Sequence, residues 1–329
     1  MSDLGQPRFR ARQVFNWVHG KGVLCPEEMR NLPTSLRYAL ERLDLAVPLS
    51  LEEAVQGADG TEKFRFRLRD GGSIESVLIP DEKRLTLCLS TQLGCRMGCT
   101  FCRTGKMGLL RNLTTAEILG QVHRIRFSRV PAKPLSHIVL MGMGEPLDNL
   151  ENTVLVLKAL THPLGGAFST RRVTVSTVGI PAALEQLFLE IPVSLTLSLN
   201  APNSKVRDRI MPVNRRYPLE KVMPVLREIP LPPRRRITIA YVLIRDLNDR
   251  PGDARELCRL LHGLRCKVNL IPLNPFPGLG LKAPDESATL GFQALLRSKG
   301  ISARVRFSRG SDILAACGQL ASVPAGCGV

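Results

Sequence analysis

The 329-residue chain reads as an α/β protein: a partial parallel barrel of six strand–helix units, (βα)6, with a small N-terminal α+β unit set before it. Three observations predict this. Six short apolar runs suited to buried strands alternate with helical stretches. Two further runs before residue 80, one of them with clean period two, flank a Gly71-Gly72 turn. Small polar or reactive residues stand at the ends of five of the six strands.

In order, Arg8–Lys21, with Val14, Phe15 and Val18, and Pro33–Leu43 are expected as short helices. Lys63-Phe64-Arg65-Phe66-Arg67-Leu68 and Ser76-Val77-Leu78-Ile79 form a hairpin, so the accessory unit is expected to span residues 1–80. The core, residues 81–329, carries strands at Thr86–Thr91, His137–Met141, Arg172–Thr177, Val193–Leu199, Arg236–Ile244 and Lys267–Leu273. Helices separate them at Thr115–Phe127, Leu150–Leu160, Pro181–Leu189, Leu219–Arg227 and Gly252–His262; the first opens on a Thr114-x-x-Glu117 capping box. Glu286–Lys299 follows as a helix and Arg304–Phe307 as a further strand. Such alternation calls for parallel neighbours joined by right-handed crossovers. The C-terminal ends of parallel barrel strands form one face, where active sites are built. The cysteine loop, Gly144-Glu145-Pro146, Ser176-Thr177, Ser198-Leu199-Asn200 and Asn274-Pro275 mark that face.

Composition narrows the function. Hydrophobic residues make up 44%, which excludes disorder, and 46 Lys and Arg against 29 Asp and Glu leave +17. The start lacks an apolar signal segment, and no run approaches the ~18–20 apolar residues of a membrane span. A cytoplasmic protein is expected, in which nine cysteines point to metal binding or catalysis rather than disulfides. The charge implies a polyanion, nucleic acid ahead of a membrane surface. It peaks over residues 201–250, through residues such as Arg207, Arg215, Arg216 and Arg234–Arg236. One Trp and three Tyr make a stacking platform unexpected, so backbone and shape recognition of folded RNA fits better.

Cys95-Arg-Met-Gly-Cys99-Thr-Phe-Cys102 places three thiols within eight residues, suited to a soft-metal centre. A structural zinc site takes four ligands, and no cysteine–histidine pair recurs downstream at zinc spacing. An iron–sulfur cluster usually takes four thiolates, so three leave one iron open to an outside ligand. On residue type alone, Glu75 is a solvent-facing strand residue or a functional one, and Cys88 a small hydrophobe in mid-strand. Cys317, between Ala316 and Gly318, is a reactive loop thiol; Cys25, Cys258, Cys266 and Cys327 read as structural.

The cysteine loop, with Phe101 before its last Cys, resembles the radical S-adenosylmethionine (SAM) superfamily, and Met141-Gly-Met-Gly144-Glu145-Pro146 resembles its "GEP" segment, which contacts the methionine amino group. Leu87-Cys88-Leu-Ser-Thr-Gln92-Leu-Gly94-Cys95, Arg111-Asn-Leu-Thr114, Val175-Ser-Thr-Val-Gly-Ile180 and Ala315-Ala-Cys-Gly-Gln-Leu320 resemble the RlmN/Cfr family, which methylates an adenine carbon of 23S ribosomal RNA. The likeness begins at Gly5-Gln-Pro-Arg-Phe and runs through to Leu320.

The resemblance implies a barrel of radical SAM type, with a [4Fe–4S] cluster on Cys95, Cys99 and Cys102. It implies SAM at Gly144, Glu145, Ser176, Ser198, Leu199, Asn200 and Asn274. One SAM methylates Cys317; the deoxyadenosyl radical of a second takes a hydrogen from that methyl, and the methylene radical adds to adenine C2, ahead of C8. Glu75 is implied as the base and Cys88 as the resolving thiol, through a transient disulfide with Cys317. The implied partners are 23S rRNA, with tRNA as a further substrate, and an electron donor such as flavodoxin or ferredoxin, on a monomer. The chain departs from the family at Asn200, where His is usual, and in a shorter N-terminal helical region. Two alternatives stay open: the same chemistry at C8 or on another RNA, and a non-catalytic zinc-stabilised RNA-binding protein.

Overall fold

The structure, a computed structural model, describes residues 4–128 and 133–321; Cys327 lies outside them. An antiparallel meander opens the sheet: β1 (Leu49–Gln56), β2 (Glu62–Leu68), β3 (Ser73–Asp81) and β4 (Arg84–Cys88). A separate two-stranded ribbon follows, β5 (Gln92–Cys95) and β6 (Gly108–Asn112). The main sheet resumes with β7 (His137–Leu140), β8 (Val173–Thr177), β9 (Ser194–Ser198), β10 (Ile237–Leu243), β11 (Cys266–Pro272) and β12 (Ala303–Val305). From β4 onward, every neighbour in this sheet is parallel and follows in chain order. The sheet therefore winds one way, as a barrel does, and β12 pairs only with β11, which leaves the barrel open. This is the expected fold class, with β12 as a seventh parallel strand.

The helices are α1 (Arg8–Phe15), α2 (Thr34–Glu41), the single turn α3 (Arg103–Lys106), α4 (Thr115–Phe127), α5 (Leu150–Thr161), α6 (Pro181–Glu190), α7 (Ser204–Ile210), α8 (Leu219–Glu228), α9 (Pro251–Leu260) and α10 (Glu286–Ser298). The capping box of α4 forms in both directions: Glu117 N donates to Thr114 Oγ1 and Thr114 N to Glu117 Oε2. The parallel strands bury both faces, so their apolar runs (Val173, Val175, Leu195, Leu197, Ile239, Val268, Leu270) make the core.

Residue 80 falls inside β3, which pairs with β4, so the strands of residues 49–81 are an extension of the core sheet. The helical segment before them has its own small core of Met29, Leu32, Leu36 and Leu40. The expected strand Thr86–Thr91 stops at Cys88. Ser90 leaves the ladder because the Gln121 side chain takes both of its backbone groups, and its hydroxyl donates to Glu75 O. Cys88 therefore ends its strand, at the functional face.

After β12 the chain crosses the open side of the barrel. Arg309 donates to Pro80 O, Gly310 N to Asp59, and Ala58 N to Asp312, fixing the segment that leads to Cys317.

Candidate active site

The cysteine loop springs from the end of β5. Gly94 has φ +79°, and a Cβ there would lie 2.0 Å from Gly108 O, so only glycine lets β5 and β6 close beneath Cys95. Cys95 and Cys99 are buried and Cys102 is half-buried. Burial pushes the Cys95 thiol up to about 12 and Cys99 well above the ordinary range, and the neighbouring cysteines add to both. Among the described residues, no three His, Cys, Asp or Glu side chains gather as ligands of a single ion would. The donor chemistry nonetheless fits a larger soft-metal cluster: three thiols on one short loop, mutually repelling when ionised, protonated until a metal displaces the protons.

Gly144 and Glu145 follow β7. Gly144 has φ +100°, and an added Cβ would lie 2.5 Å from Gln92 Cβ and 2.7 Å from Gln92 N. Gly144→Ala is expected to cost about 2–4 kcal/mol through strain and clash, read as a lower denaturation midpoint; a change under about 0.5 kcal/mol would contradict it. Glu145 N donates to Gln92 Oε1, while its carboxylate accepts from Leu147 N at 3.0 Å and Val178 N at 2.9 Å. It is 3% exposed, and burial pushes it up to about 7 against those hydrogen bonds and one from Thr177. A neutral-pH titration on a buried carboxyl suits capture of an ammonium group.

Ser176 and Ser198 end adjacent strands with their hydroxyls 3.3 Å apart. Leu199 and Asn200 are turned into the frame instead. Leu199 is fully buried and its carbonyl accepts from Arg207 Nε. Asn200 sits at φ +58°, a conformation that suits Asn, with Val242 N donating to its Oδ1 and its own Nδ2 on Met211 Sδ. Asn274 Nδ2 donates to Cys317 O at 3.0 Å, so it holds the Cys317 loop in place.

That loop is tied to the cysteine loop as well. Arg103 N donates to Gly318 O at 2.7 Å, and Thr104 Oγ1 donates to Leu320 O. Cys317 is accessible although protein surrounds it on several sides, and that crowding raises its thiol. Glu75, on β3, is 4% exposed; its carboxylate accepts from Ala321 N at 3.0 Å and meets Lys63 Nζ at 3.3 Å. Burial raises Glu75, while Lys63, Ala321 N and Arg103 oppose this. Cys88 is buried, and its thiol is pushed up by burial and then by Cys317. Both thiols are free. Glu75 and Cys88, from the paired strands β3 and β4, and Cys317, from far along the chain, thus come together beside the cysteine loop.

Sequence reasoning missed three residues here: Gln92, which seats Glu145; Lys63, the partner of Glu75; and Arg207, read as part of a basic surface but fully buried. Period two in Lys63–Leu68 placed Lys63 on a face but not its diagonal reach to Glu75, whose register partner is Arg65.

An open barrel of parallel strands with three cysteines clustered on one loop at its C-terminal face is the frame of a radical SAM enzyme, and residues 89–258 match the Radical SAM superfamily. Residues 1–44 match the Ribosomal RNA large subunit methyltransferase N-terminal domain. The chain is 48% identical over 317 residues to the Dual-specificity RNA methyltransferase RlmN of Syntrophobacter fumaroxidans, covering 96% of this chain and 93% of that protein. It is 49% identical over 316 residues to the RlmN of Geotalea uraniireducens, covering 96% and 91%. A radical SAM methyltransferase from Sphaerobacter thermophilus superposes with TM-score 0.89 and 44% identity, over 96% of this chain and 94% of that one. The chain belongs to the RlmN family of radical SAM methyltransferases. Its cofactors are accordingly a [4Fe–4S] cluster and SAM, and the zinc-stabilised, non-catalytic reading is set aside. Among the described residues, no helix is long and apolar enough to cross a membrane.

Proposed function

We propose that the protein methylates an adenine carbon, C2, of 23S rRNA and also acts on tRNA, using two SAM per turnover and a one-electron donor such as flavodoxin or ferredoxin, as a cytoplasmic monomer. The observation that carries the reading is the convergence of Glu75, Cys88 and Cys317 beside Cys95, Cys99 and Cys102. An adenine C2 is electron-poor and does not displace the methyl of SAM as a nucleophile. When bound, the cluster supplies one-electron cleavage of SAM.

The chain's own residues do the rest. Cys317 carries the methyl group and then the methylene bridge to the base. As the radical adduct gives one electron back to the redox chain, Glu75 removes the C2 proton; Lys63 and Ala321 N bond its carboxylate, aim it and oppose its protonation. Cys88 attacks the Cys317 sulfur; the bond from that sulfur to the methylene carbon breaks, the carbon takes up a proton as the methyl group, and the Cys88–Cys317 disulfide left behind is reduced by an external dithiol. Gly144, Glu145, Ser176 and Ser198 take the amino-acid and ribose groups of SAM, with Leu199, Asn200 and Asn274 framing them.

Mass spectrometry of 23S rRNA and tRNA from cells with and without the gene tests the reading. Loss of C2-methyladenosine from both pools is expected; unchanged methylation refutes it, and loss at C8 relocates the target atom. Exposed Arg215 and Arg216 stand just past α7, on the RNA-facing rim of this reading. Reversing both to Glu is expected to weaken RNA binding tenfold or more at moderate salt, with SAM cleavage unchanged. Equal loss of both functions contradicts a role for this rim in RNA capture.

A further inference from the structure

Arg207 is fully buried, the largest such side chain among the described residues. Its Nε donates to Leu199 O at 3.1 Å, Nη1 to Asn214 Oδ1 at 3.0 Å and Tyr217 O at 3.4 Å, and Nη2 to Val178 O at 2.6 Å and Ser198 O at 3.3 Å. Every acceptor is a neutral oxygen. Buried guanidinium groups normally face a carboxylate, because carbonyl dipoles alone compensate the lost hydration poorly. Its carboxylate neighbours reach it only through an intermediary, Asp208 through Asn214 and Glu145 through Val178, so a direct anionic partner is lacking among them.

The surroundings say where such a partner would sit. One turn beyond Arg207, Ile210 O accepts from Thr100 N at 2.9 Å and Thr100 Oγ1 at 3.3 Å. A Cβ on Gly98 would touch the Pro212 ring at 3.7 Å. The end of α7 is therefore stitched to both residues flanking Cys99. On its other side, Arg207 holds Val178 O while Glu145 holds Val178 N, which links the SAM-side carboxylate, the end of β8 and the guanidinium.

We propose that Arg207 is a positioning residue whose charge is the fixed counter-charge of the iron–sulfur centre on Cys95, Cys99 and Cys102, and that it makes this centre easier to reduce. A [4Fe–4S] core of charge 2+ with three thiolates is a monoanion, and one electron from an external donor makes it a dianion. A fixed cation in a low-dielectric interior stabilises the dianion more, so it raises the potential. The proposal rests on the cluster assignment and not on the RNA substrate.

The test is an anaerobic redox titration of the reconstituted full chain, followed by electron paramagnetic resonance without SAM or RNA. Arg207→Met is expected to lower the equilibrium constant for reduction tenfold or more, 59 mV for a one-electron couple. Arg207→Lys is expected to stay near the unmodified protein. The double variant Asn214→Asp with Asp208→Asn leaves total charge unchanged and reverses the hydrogen bond between those two side chains, now Asn214 Nδ2 to Asp208 Oδ1 at 2.7 Å. It sets a carboxylate directly on Arg207, so it is expected to move the potential in the same direction as Met. If Met fails to fold or to hold the cluster, the double variant, which keeps the guanidinium, decides alone. An unchanged potential in the double variant overturns the proposal and leaves Arg207 a clamp on the strand ends.

Discussion

Replacing Cys317 with alanine is expected to abolish methylation of RNA while leaving the cluster and reductive cleavage of SAM in place. The Cys317 loop is held through its backbone and neighbours: Asn274 on Cys317 O, Arg103 N on Gly318 O, and Gln319 Nε2 on Pro275 O. The thiol makes none of these bonds, so its loss leaves the loop where it is. The three cysteines proposed to hold the cluster lie elsewhere in the chain, at the end of β5 and on the loop after it. On the proposed reading the methyl group then has no carrier, and RNA methylation falls below detection. Iron and sulfide content, 5′-deoxyadenosine release and RNA mass spectrometry separate the functions. Methylation within tenfold of the unmodified enzyme would falsify the role given to Cys317.

The second large effect concerns Glu145. Its folded-state carboxyl titrates at about 7 instead of the ordinary 4.5, because burial outweighs its hydrogen bonds from Thr177, Val178 and Leu147. For an acid raised on folding, the contribution to stability is fully present below about 4.5 and is lost as pH rises through about 7, some 3 kcal/mol in all. Glu145→Gln removes this titration. Between pH 5 and pH 8 the unmodified protein is expected to lose more unfolding free energy than the variant does, at equal cluster content. SAM should reverse the trend, since an ammonium beside the carboxylate favours its ionised form. Parallel pH–stability curves for the two proteins would remove Glu145 from the list of groups titrating near neutrality.

Much of the frame was legible because the information was local. Val173–Thr177 and Ile237–Leu243 are short β-branched and aliphatic runs bounded by breakers, and the Thr114–Glu117 cap announces α4 within four residues. The three cysteines proposed for the cluster, Cys95, Cys99 and Cys102, also stand within eight residues of each other. What stayed hidden depends on distant partners. Cys88 looked like mid-strand because nothing nearby reveals that Gln121 strips Ser90 from the ladder. Arg207 lies in the most basic stretch of the chain, where a single arginine reads as solvated; only the packing of α7 against two strand ends and the cysteine loop takes it inside. Asn200 and Ser198 look alike as polar strand-end residues, yet the left-handed backbone at Asn200 commits its amide to Val242 and Met211.

The segment that spans the open barrel has a consequence for the order in which the enzyme is made. Every strand of the sheet precedes Cys317 in the chain, and the seams at Ala58–Asp312 and Asp59–Gly310 are closed by residues synthesised some 250 positions apart. During translation the sheet can therefore form before Cys317, the proposed methyl carrier, emerges. Exposed Phe307, between β12 and those seams, marks where a single proteolytic cut would detach the arm.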